Sequence, residues 1–132
     1  MKLFNLFKKK EKEPQILSNK QLLDKLWKDW VKNQTTSPLT EIMTVVSNLG
    51  AGGHAYFFDL CAEDKRYMEA LNVAIFHLPK IILDNMVLAR REYNSTPKEA
   101  RGENFLENYD KVFYDNEELL DDLILKIAKG HI

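Results

Sequence analysis

Residues 37–61 read Ser37-Pro38-Leu39-Thr40-Glu41-Ile42-Met43-Thr44-Val45-Val46-Ser47-Asn48-Leu49-Gly50-Ala51-Gly52-Gly53-His54-Ala55-Tyr56-Phe57-Phe58-Asp59-Leu60-Cys61. Leu39, Ile42, Met43, Val46 and Leu49 recur at three and four residues, the spacing that lines up one face of a helix. Ser37-Pro38 marks its start, because proline suits the first helical position and a serine oxygen can accept from the orphan amides there. The run Gly50-Ala51-Gly52-Gly53 predicts its end near Leu49, since glycine tolerates the left-handed turn that stops a helix. The following segment, His54 to Cys61, carries Tyr56, Phe57, Phe58 and Leu60 and is expected to be buried on nearly all sides.

The same period extends outward in both directions. Toward the N-terminus, Ser18 or Asn19 can cap a helix to about Asn33 with a stripe of Leu22, Leu23, Leu26, Trp27, Trp30 and Val31. Toward the C-terminus, Asp64 to Leu78 repeats the pattern, Pro79 breaks it, and Ile81 to about Tyr93 resumes it. Asn94 to Arg101 reads as a surface loop. Two further helices follow, about Glu103 to Tyr114 and Asn116 to Lys129, with Asp115 or Asn116 as the cap between them. No run of alternating apolar residues with hairpin turns is present, so the expected fold is all-α, a compact bundle of about six helices. Residues 15–132 are read as a single domain, preceded by a short, basic, loosely attached segment, residues 1–14.

Cys61 is the one cysteine of the chain and cannot form an internal bridge, which points to a reducing, cytoplasmic setting. The start Met1-Lys2-Leu3-Phe4-Asn5-Leu6-Phe7-Lys8-Lys9-Lys10 lacks the layout of a secretion signal. Its alternation of large apolar residues and lysines allows a weak contact with an anionic membrane surface, the alternative to a simple tail. The formal charge of -1 hides an uneven distribution. Residues 1–33 hold nine lysines against four carboxylates, whereas residues 101–125 hold eight carboxylates against Arg101 and Lys111.

The sequence holds no recognisable catalytic constellation. The glycine run has no preceding strand and no following Lys-Ser/Thr pair, so the phosphate-binding loops fail. Cys61 has no histidine at a motif spacing and reads as a structural thiol, and no paired metal-ligand motif occurs. No catalytic residue, metal or cofactor is therefore expected. His54, beside the glycine pair, reads as a capping or packing residue, with a small-ligand pocket around it as the alternative.

Two places carry a family resemblance. Gly52-Gly53 precedes an aromatic helix with Phe57-Phe58, and Asp110-Lys111-Val112-Phe113-Tyr114 precedes Glu117-Glu118-Leu119-Leu120 and a terminal helix. From about residue 48 to 132 this order resembles a bacterial helical domain family that includes a DNA-mimic protein. Ala51 and Tyr56 stand where the family usually has asparagine and glutamine. The resemblance implies an all-helical, non-enzymatic interaction domain that binds a basic protein, such as a DNA-binding regulator or a toxin. The residues expected to make that contact are Glu103, Glu107, Asp110, Asp115, Glu117, Glu118, Asp121 and Asp122, an acidic array able to stand in for phosphates. Direct binding of nucleic acid is not expected.

Overall fold

The computed structural model describes residues 16–130 of the 132-residue chain, so the basic N-terminal segment, its membrane contact and the 1–14 boundary lie outside the described residues. The described residues form six α-helices and no strand. These are α1 (Asn19–Val31), α2 (Leu39–Glu63), α3 (Lys65–Ala74), α4 (Lys80–Ser95), α5 (Glu107–Asp115) and α6 (Glu117–Ala128), with a 3-10 turn at Lys98–Ala100. The all-α expectation holds.

Helix α2 is the axis of the bundle and packs against all five others. It can do so because its apolar residues face more than one side. Ile42, Met43, Val45 and Leu49 in its first half and Phe57 and Phe58 in its second are all buried. Around it, α3 contributes Ala70, Leu71 and Ala74, α4 contributes Ile82, Met86 and Ala89, and α5 and α6 contribute Phe113, Leu120 and Ile124. Burying each of the larger of these side chains, the Val, Leu, Ile, Met and Phe, stabilises the fold by about 1.5–3 kcal/mol.

Several boundaries follow the sequence. Ser18 and Gln21 form a reciprocal capping box at the start of α1, with Ser18 Oγ accepting from the Gln21 amide and Gln21 Oε1 from the Ser18 amide. Asp64 accepts from the Arg66 amide and opens α3. Pro79 separates α3 from α4 as expected.

Other expectations are corrected. The glycine run does not end the helix begun at Leu39. The helix continues to Glu63 and bends at Gly53, whose backbone stands at φ 83, ψ -174. Ser37 makes no capping hydrogen bond at the start of α2. Asn116 does not cap α6 through its side chain; its Nδ2 donates back to the Val112 carbonyl and closes α5 instead. Helix α5 begins at Glu107 rather than Glu103, because Leu106 takes a left-handed backbone (φ 67) that buries its side chain. In the predicted stripes, Val31 is 72% exposed, while Val45, not named among the α2 core positions, is completely buried.

Candidate functional site

The bend in α2 brings the two resemblance-bearing places together. With Gly53 out of helical geometry, the next amide is free of the ladder and points to α5. The His54 amide donates to Asp110 Oδ1 at 2.8 Å, and His54 Nδ1 lies 2.7 Å from the same oxygen. A carboxylate can only accept, so the proton of the neutral imidazole sits on Nδ1. Burial holds the His54 pKa below the ordinary imidazole range, against the opposing hydrogen bond and charge of Asp110. The ring packs against Phe58 and, edge to face, against Phe113 at 6.4 Å. Its Nε2 is buried without a partner among the described residues, and none of the five principal clefts is lined by His54.

Both glycines of the pair have steric duties here. A Cβ on Gly53 would come within 2.5 Å of Asp110 Oδ2, and its positive φ is one that side-chain-bearing residues rarely adopt. A Cβ on Gly52 would overlap the base of the Tyr56 side chain. Phe57 and Phe58 are buried beneath the bend, and the Tyr114 hydroxyl reaches the Gly50 carbonyl at 3.4 Å. Gly52, Gly53, Phe57, Phe58, Phe113 and Tyr114 thus belong to one packed junction of α2 with α5.

The acidic array divides into three parts. Asp110 is withdrawn from it, since its carboxylate is engaged by His54 and only 21% exposed. Glu103 and Glu107 are exposed at the N-terminal end of α5, with Asp115 eight residues beyond Glu107, about 12 Å along the axis. The densest group is at the α5–α6 junction and along α6. There Asp115, Glu117, Glu118 and Asp122 are exposed and Asp121 is half-buried. Partial desolvation, together with Asp122 and Glu118, raises the Asp121 pKa. Desolvation, followed by the charges of Asp110 and Glu117, raises the Tyr114 pKa in the same way. None of Asp115, Glu117, Glu118, Asp121 and Asp122 forms an ion pair among the described residues. Leu119 and Tyr114, 40% and 44% exposed, stand among these carboxylates.

A second surface has the opposite character. Leu71, Ile75, Phe76, Leu83, Met86 and Val87 line an apolar groove of about 430 Å3 between α3 and α4, and Phe76 is 83% exposed. No group of three or more metal-ligating side chains occurs among the described residues, and no described helix is long and apolar enough to cross a membrane. No protein-family model, curated protein or solved structure matches the chain.

Proposed function

We propose that this protein is a cytoplasmic docking protein without catalytic activity that binds a basic protein partner through the acidic face of α6 and the α5–α6 junction. The observation that carries the reading is the concentration of exposed carboxylates with no cation paired to them among the described residues. Carboxylates at a helix start are favoured by the helix dipole, which explains Glu117 and Glu118 without a partner. It does not explain Asp121 and Asp122, which stand four residues after Glu117 and Glu118 and repel them across one turn.

A lysine- or arginine-rich partner relieves that repulsion and gains steering toward the site. Leu119, at the edge of the acidic arc of α6, and Tyr114, at the end of α5, add exposed apolar contact beside the carboxylates. The resemblance to the DNA-mimic family agrees with a DNA-binding regulator, or a toxin with a comparably basic surface, as that partner. Asp110, engaged by His54, serves the fold instead.

The test is a pair of affinity columns run side by side on native lysate, one bearing the wild-type protein and one the E117Q/E118Q/D121N/D122N variant. A basic protein retained on the first column, eluted by salt and missing from the second, is the expected result. Identical retention on both columns would overturn the assignment of the face.

A further inference from the structure

Along α2, Glu41, Thr44 and Asn48 follow one another at three and four residues and so form a polar stripe on a helix that is otherwise largely core. That stripe lines an open cleft of about 640 Å3 together with Trp30 of α1 and Tyr67 and Glu69 of α3. The volume lies within the range of small-molecule sites.

The walls are preorganised. Trp30 Nε1 donates to Thr44 Oγ1 at 3.1 Å, and Thr44 Oγ1 donates in turn to the Thr40 carbonyl at 2.8 Å, so the indole is fixed on the cleft lining. Asn48 Nδ2 donates to the Thr44 carbonyl at 2.7 Å, which turns its Oδ1 into an acceptor with no partner among the described residues. Glu41 Oε1 is buried and likewise without a partner. A buried acceptor left unpaired destabilises the fold, the more so when it carries charge.

The cation on the cleft lining does not pair with Glu41. Arg66 is committed to Asp64, with its guanidinium 2.6 Å from the carboxylate. Glu69 at the rim adds negative charge and is only loosely offset by Lys65 at 4.0 Å. The cleft therefore offers unpaired acceptors, excess negative charge and two aromatic rings, a combination that suits a positively charged donor.

We propose that this cleft binds a small organic cation whose primary ammonium or guanidinium head pairs with the Glu41 carboxylate and whose far end, about 10 Å along α2, donates to Asn48 Oδ1, the chain between them lying beside Trp30 and Tyr67. This site is independent of the acidic face of α6.

The experiment is a 15N-detected NMR titration of the full chain with agmatine and with putrescine, using 1,4-butanediol as the uncharged control. Saturable shifts are expected at the Trp30 indole and at amides of residues 41–48, with dissociation constants in the roughly micromolar to millimolar range. Glu41→Gln, which keeps the shape and removes the charge, should weaken binding at least about tenfold. Should that variant fold poorly, Asn48→Leu provides the second arm by removing one acceptor and filling the cleft. Absence of saturable shifts with both amines, equal shifts with butanediol, or unchanged affinity in a folded variant would overturn the proposal.

Discussion

Replacing Gly53 by alanine should be among the most damaging single-methyl additions in this chain. Two costs combine. The backbone at φ 83, ψ -174 lies in a region reserved for glycine, and holding alanine there costs about 1–3 kcal/mol. The new methyl would also sit 2.5 Å from Asp110 Oδ2, whereas ordinary contact needs roughly 3.5 Å, so the carboxylate must retreat by about 1 Å. Its hydrogen bonds to the His54 amide and Nδ1, now 2.8 and 2.7 Å, would then be lost or badly stretched. Hydrogen bonds to a charged group contribute about 1.5–3 kcal/mol each, so losing both on top of the backbone cost gives a total of about 4–9 kcal/mol, against about 5–15 kcal/mol for a whole domain. Urea denaturation followed by circular dichroism reads this directly. In an Asp110→Ala background the steric part disappears, and Gly53→Ala should cost only its backbone share of about 1–3 kcal/mol. A loss under about 1 kcal/mol in the wild type, or the same loss in both backgrounds, would refute the link between the bend and Asp110.

Three further outcomes follow from the same packing. Because burial keeps the folded His54 pKa below that of the unfolded chain, the unfolded state takes up the extra proton on acidification. Stability should be flat above about pH 6.5 and fall below it by up to about 1.4 kcal/mol per pH unit. Urea midpoints at about pH 7.5 and 5.5 should show that loss in the wild type and much less of it in His54→Phe; an equal loss in both would exclude His54 as its source. Burial pushes the Cys61 thiol up to about 11, so iodoacetamide should label it at mildly alkaline pH only after denaturation. Rapid labelling of the folded protein would contradict this. Arg101 lies 3.9 Å over the Tyr93 ring while donating to the Tyr93 and Thr96 carbonyls, and so ties the segment before α5 to α4. Arg101→Ala should destabilise by about 2–4 kcal/mol in thermal melts, and an unchanged melting temperature would show that the tie is idle.

The readable parts of this fold were those decided by neighbours in sequence. The Ser18 cap, the Asp64 start and the apolar periods depend on spacings of a few residues, and the sequence marks these boundaries to within a few positions, the end of α2 excepted. Whether a glycine pair stops a helix or bends it is a different kind of question. Here the answer rests on Asp110 in α5, which no local pattern connects to Gly53. The same distance hid the partnership of His54 with Asp110 and removed that carboxylate from the acidic array. Leu106 misled for a related reason: its left-handed backbone is imposed by burial in the core, not by its type. The stripe Glu41, Thr44 and Asn48 carries no signal of its own in the sequence, because its meaning depends on a cleft that α1 and α3 complete.

The most direct measurement of the docking surface is NMR mapping on 15N-labelled protein with the basic partner retained by the wild-type column. Perturbed amides centred on Tyr114 to Asp122, fading as salt is raised from about 50 to 200 mM, are expected for contact through the acidic face. Perturbations centred instead on the apolar groove of Leu71, Phe76 and Val87 and insensitive to salt would contradict it.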